Sequence, residues 1–169
     1  MTAGTKFSRK YLQTRNMRTE AAAKLGAYDA IMGSLEQEIE KLRTTGILCK
    51  AFTENDNEEP EIIQVTRRCW NHVFKHPIKR QTKLEKLERA LAWPLALKLL
   101  KKATTYQGVS VEKDFGGNTY LAFEISGCIR GNRIKVIIAK QPKRTNAQKI
   151  LFSWWQMSSA PRKEDEKEL

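Results

Sequence analysis

The spacing of apolar residues changes once along this chain, and that change limits the folds open to it. Between Arg18 and Arg43, Leu25, Tyr28, Ile31, Met32, Leu35, Ile39 and Leu42 recur at three- and four-residue steps, the period of an amphipathic helix. From Val109 onward the period falls to that of strands. Val109 to Phe115, Thr119 to Ser126, Arg133 to Ala139 and Lys149 to Met157 are rich in β-branched and aromatic residues. Gly116-Gly117-Asn118 and Gly131-Asn132 between them are hairpin signals. Helices first and strands after predict an α+β fold: a long N-terminal amphipathic helix, then helices packed on a four-stranded antiparallel meander.

The stretch between these blocks reads as shorter pieces. Ile47 to Phe52 is expected as a short strand, Thr53 to Glu61 as an acidic loop, and Ile62 to Val65 as a short apolar run. Thr66 can cap a helix through Arg67-Arg68-Cys69-Trp70-Asn71-His72-Val73-Phe74 that ends before Pro77, with His76 at its exit. Thr82-Lys83-Leu84-Glu85 is a capping box opening a helix along Leu84, Leu87 and Leu91. Trp93-Pro94 is expected to punctuate it, with a further helix over Pro94 to Ala103. Gly26 and Gly33 weaken the first helix, which then depends on tertiary packing or on a protein partner against its apolar stripe. The chain thus divides into a helical segment with an acidic loop (1–60), a basic α+β domain (61–157) and a charged tail (158–169).

Charge narrows the function classes. The net charge is +12, and it is unevenly placed. Residues 1–60 carry nine basic and nine acidic side chains, residues 61–150 nineteen and six, and residues 151–169 three and four, so the whole excess lies in the second block. A localised excess of this size points to a polyanion such as RNA, and disfavours mimicry of nucleic acid, which needs an acidic surface. No apolar run approaches the ~18 residues of a membrane-spanning helix. Cys49, Cys69 and Cys128 are odd in number and not closely paired, and no signal-peptide pattern opens the chain, so a reducing, cytoplasmic setting is expected.

The densest cluster of reactive groups is Arg67 to Arg80, which holds both histidines. An imidazole exchanges protons near neutral pH, and adjacent cations hold a phosphate and stabilise charge developing on it. His76, at the helix exit and followed by Lys79 and Arg80, is the first candidate for proton transfer, with His72 the second. Arg67, Arg68 and Lys75 flank them as phosphate contacts. Cys69, His72 and His76 could share a helix face as metal ligands, but no second local Cys or His pair supplies a fourth, so neither metal nor cofactor is expected. Arg130, Arg133, Lys135, Lys140, Lys143 and Arg144 lie on or beside the later strands as a phosphate-tracking surface. On the last strand, alternation places Ser153 and Trp155 on one face and Phe152 and Trp154 on the other, which makes Trp155 a base-stacking candidate.

From Ile62 to Met157 the order of these features resembles the barnase, EndoU and RelE-like nuclease superfamily, especially its phage-associated branches. The matching pieces are Trp70-Asn71-His72-Val73-Phe74-Lys75-His76-Pro77, the helix through Trp93-Pro94, the strands around Thr119 to Ala139, and Ile150-Leu151-Phe152-Ser153. The resemblance implies metal-independent endoribonuclease activity of the toxin or phage-effector type. It places a histidine after the first helix, at His76 or His72, and a hydroxyl on the last strand, at Ser153. The alternative is a noncatalytic nucleic-acid-binding adaptor.

Either function predicts counterion release. Affinity for RNA should fall linearly on a log–log plot against salt, with a slope near −0.7 per phosphate neutralised on a single strand. Fluorescence anisotropy at several salt concentrations checks this, and a flat dependence would remove the polyanion reading.

Overall fold

The computed structural model describes residues 17–52, 60–76, 80–114, 116–142 and 148–157. Its elements are α1 (Met17–Ala23), a 3-10 turn (Leu25–Ala27), α2 (Tyr28–Thr45), β1 (Ile47–Cys49), β2 (Glu61–Ile63), α3 (Arg67–Phe74), α4 (Lys83–Lys102), β3 (Gly108–Lys113), β4 (Thr119–Ile129), β5 (Asn132–Lys140) and β6 (Ile150–Gln156). The fold is α+β. The last four strands form an antiparallel meander in the order β3-β4-β5-β6, and β1 pairs with β2 as a separate antiparallel ribbon. No helix among the described residues is long and apolar enough to cross a membrane.

The helical block departs from the sequence reading in two places. The single helix expected over Arg18 to Arg43 is broken around Gly26, where Lys24 donates its N–H to the carbonyls of Glu20 and Ala21 and the chain makes one 3-10 turn. Met17 and Ala21 of α1 and Leu35 and Ile39 of α2 are buried on either side of that break, while Leu25 is left 44% exposed. Leu35 and Ile39 of the stripe join the core that α4 also packs into. The second departure is at Pro94, which ends nothing: α4 runs unbroken from Lys83 to Lys102 with the proline on its exposed side. Proline costs a helix interior ~3 kcal/mol. Burial of Trp93, Leu95, Ala96, Leu99 and Leu100 on both sides of it offsets that cost. The capping box forms as expected, with Glu85 N–H donating to Thr82 Oγ1 at 3.2 Å and Thr82 N–H to Glu85 Oε2 at 2.9 Å.

One layer of helix lies on one face of the sheet. α4 buries its apolar side against Phe123, Ile125, Ile134, Val136, Ile138, Leu151 and Trp154. Where it crosses β4, the Leu99 side chain sits over Gly127: a Cβ there would lie 2.8 Å from Leu99 Cδ1, so any larger residue requires that side chain to shift. Met17, Leu35 and Ile39 join the same core as Trp93, Ile138 and Trp154. The β1–β2 ribbon is fastened to the start of β6. Gln64 donates to the Lys149 carbonyl at 2.9 Å and accepts from Leu151 at 2.8 Å, and the buried Lys149 ammonium reaches Glu61 at 2.7 Å over the ring of Phe52.

β6 is an edge strand with one irregularity. Ile138 pairs with Leu151 but Ile137 pairs with Ser153, so Phe152 is an extra residue in a β-bulge. Strict alternation, which would set Phe152 beside Trp154, therefore fails. Trp154 faces α4 and stacks at 4.7 Å on Trp93, whereas Phe152 turns to the other side and meets Tyr120 at 4.9 Å.

A single core has a measurable consequence. Ile39→Ala in α2 and Leu100→Ala in α4 should each lower unfolding free energy by about 2–5 kcal/mol. Urea unfolding followed by tryptophan fluorescence and by far-ultraviolet circular dichroism should give one coincident transition in both variants.

Candidate functional site

A cleft of about 490 Å³ opens between α3, the β3–β4 turn and the bulge of β6, lined by Arg68, Asn71, His72, Lys75, Lys113, Asp114, Gly116, Tyr120 and Phe152. α3 supplies one wall because of its sequence spacing. Arg68, Asn71, His72 and Lys75 fall at three- and four-residue steps and share a face, while Cys69, Val73 and Phe74 turn to the core. Phe74 reaches Trp154 at 5.9 Å, which seats the helix along the β6 edge.

The floor is aromatic and the rim is cationic. The His72 ring lies 4.1 Å from Phe152, Phe152 meets Tyr120, and His76 stands 5.7 Å from His72. On the hairpin side, Asp114 accepts the Asn118 backbone N–H at 2.8 Å and its side-chain amide at 3.3 Å, and pairs with Arg68. The Asn118 backbone bond first, with the Arg68 charge behind it, holds the Asp114 carboxyl below the ordinary carboxylate range. Arg68 is thereby drawn across the cleft mouth from α3 to the β3–β4 turn.

Burial against Phe152 pushes the His72 imidazole down to about 4, with the His76, Arg89 and Arg68 charges adding to the effect. His72 is therefore a neutral ring at pH 7, with a nitrogen able to accept a proton. Burial, followed by the Glu112 carboxylate, raises the Tyr120 phenol, which keeps its proton. An anion between Lys75, Lys113 and Arg68 would oppose the factors that depress His72 and raise its basicity.

The structure gathers some of the sequence candidates here and disperses others. His72, Arg68 and Lys75 line the cleft and His76 adjoins His72. Arg67 lines an adjoining groove of about 390 Å³ with Glu36, Glu40, Arg43 and Trp70, and Asn71 and Lys75 border both this groove and the cleft. Ser153 does not line the cleft: the bulge presents Phe152 there, and Ser153 is buried with its Oγ accepting from Arg89 at 3.1 Å. Arg80 is exposed ahead of α4 and is not among the lining residues. Arg133 and Lys135 lie on the sheet face away from α4, where Lys135 pairs with Glu124 at 2.9 Å. Trp155 has the Arg89 guanidinium 5.5 Å and the Lys135 ammonium 5.7 Å from its ring centre. Lys140 sits at the end of β5 opposite Leu121, and Arg130 at the β4–β5 turn. Lys79, Lys143 and Arg144 lie outside the described residues.

Lys113, Asp114, Tyr120, Phe152 and Arg89 were not singled out from sequence. Asp114, four residues before Asn118 at a glycine-rich turn, carried a local signal for the hairpin contacts. The Arg68–Asp114 pair and the Phe152 bulge depend on chain segments far apart and carried none.

The depressed His72 predicts a stability change with a definite sign. Between pH 6.5, its ordinary value, and about 4, the unfolded chain binds a proton that the folded chain refuses. Stability is therefore fully present above that window and falls as pH drops through it. After allowance for the part of the ring that meets solvent, the contribution is on the order of 1–2 kcal/mol. Urea unfolding of wild type and His72→Gln at several pH values should show a smaller loss in the variant across this window, and identical slopes would refute the burial.

The chain matches no protein-family model, no curated protein and no solved structure.

Proposed function

We propose that the protein binds single-stranded RNA in this cleft and cleaves it without a metal ion. The observation that carries the reading is the convergence of a neutral, half-buried imidazole with three cations over an aromatic floor. In this reading Tyr120 and Phe152 receive a base, and Lys75, Lys113 and the remaining donors of Arg68 hold the phosphate on its 3′ side. His72 accepts the proton of the ribose 2′-hydroxyl, and the freed oxygen attacks the adjacent phosphorus. The bond to the 5′-oxygen breaks, and that oxygen takes a proton from His76 or Tyr120. The cations stabilise the extra negative charge of the five-coordinate transition state.

A noncatalytic RNA-binding role draws support from a different observation. Ser153, the hydroxyl that the nuclease resemblance would use, is committed to Arg89. One experiment separates the two readings. Single-turnover cleavage is measured in EDTA on matched RNA oligonucleotides, one carrying a deoxyribose at the scissile position. Catalysis predicts cleavage of the all-ribose strand alone, and a loss of about a hundredfold or more in His72→Ala with affinity retained. His76→Ala and Tyr120→Phe identify the acid by which of them slows the reaction. Binding without cleavage of any RNA leaves the adaptor role, and cleavage of both substrates excludes attack by the 2′-hydroxyl.

A further inference from the structure

The end of the sheet remote from the cleft carries a second concentration of positive charge. β4 leads there: it begins beside Tyr120 of the cleft and runs eleven residues to Ile129. Its two ends stand roughly 30 Å apart at about 3.3 Å per residue. Neither residues 89–111 nor residues 125–148 contain an aspartate or a glutamate, yet together they include Lys98, Lys101, Lys102, Arg130 and Arg133.

The fold draws three of these together. Leu99 sits over Gly127, which brings the last turns of α4 close to the β4–β5 hairpin. Lys98 and Lys102 are one helical turn apart, and the Arg130 charge, followed by that of Lys102, pushes the Lys98 ammonium down.

Arg130 is also in an unfavourable conformation for its type. The hairpin closes Ile129 on Asn132 through the two residues Arg130 and Gly131, with φ of 51° and 77°. A turn with both central residues at positive φ favours asparagine then glycine. The second preference is met and the first is not. Asn132 steadies the turn, its amide donating to the Arg130 carbonyl at 3.2 Å, but this does not require an arginine. A residue that works against local backbone preference and adds to like-charge crowding marks a place where the charge serves something outside the fold.

We propose that Lys98, Lys102 and Arg130 form a second phosphate-binding surface, engaged by the same single strand of RNA whose other part occupies the cleft. The proposal rests on the RNA reading of the cleft and adds to it a minimum length of substrate. A strand covering both sites falls within the ~4–16 nucleotides typical of single-strand binding surfaces. The sheet face between the sites carries Arg133 and the Lys135–Glu124 ion pair on β5 and β4.

The test uses the full chain and fluorescent RNAs of about three and about twelve nucleotides. Arg130→Asn should melt no lower than wild type, because asparagine suits the turn, and should bind the longer RNA several-fold more weakly. The triple variant K98Q/K102Q/R130N should lose about tenfold or more on the longer RNA and flatten its log–log salt slope by about 2, at ~0.7 per phosphate contact. The short RNA should bind all variants as it binds wild type. Unchanged affinity and salt slope on the longer RNA would overturn the second surface and leave the cleft reading standing. Equal losses on both lengths would also overturn it, and failure of the wild type to bind RNA of either length would overturn both readings.

Discussion

Arg89 and Trp154 hold each other by two hydrogen bonds running in opposite directions, and the position of the last strand depends on them. The guanidinium donates to the Trp154 carbonyl at 2.8 Å, and the indole N–H donates to the Arg89 carbonyl at 2.8 Å. Among the described residues no strand neighbours β6 at this point on its outer edge, so the Trp154 carbonyl would otherwise be covered by α4 without a partner, at a cost of about 1–3 kcal/mol. With Trp154 fixed toward Trp93, the additional residue of the bulge must be taken up before it, and Phe152 turns the opposite way. The floor under His72 is thus set by a fastening on the other face of the sheet.

The same geometry explains how far the sequence could be read. The change from helical to strand spacing was enough to place the four-stranded antiparallel sheet after the helices, and the Thr82–Glu85 pattern marked the start of α4 because a capping box is a local device. The face of α3 was legible for the same reason: Arg68, Asn71, His72 and Lys75 are near one another in sequence. Features settled by distant partners were not. Pro94 reads as a stop until the core on both sides of it is known, and Gly26 reads as a weak point in one helix until Met17 and Leu35 are seen to need different directions. Ser153 and Phe152 exchange places relative to a regular strand because Arg89, sixty-four residues away from Ser153, holds the strand beyond them.

The cleft also balances its charges unequally. Arg68 is neutralised by Asp114, whose carboxylate is itself steadied by Asn118, while Lys75 and Lys113 extend the positive rim from opposite walls. Arg68 therefore links α3 to a hairpin turn, and an anion entering the cleft would compete with Asp114 for its donors. Such competition weakens affinity for a lone phosphate and favours a ligand that brings further contacts of its own.

The placement of Phe152 on the last strand has a consequence for when the cleft comes into existence. A polypeptide is made from its N-terminus, and α3 with the β3–β4 hairpin emerges well before residue 150. Until β6 pairs with β5, α3 has no strand edge to lie along and the ring beneath His72 is missing. The ribbon contact at Gln64 likewise joins β6 only across more than eighty residues of chain. Assembly of the site is thus a late event of synthesis, and a nascent chain can carry every cation of the rim while lacking the chamber that would make use of them.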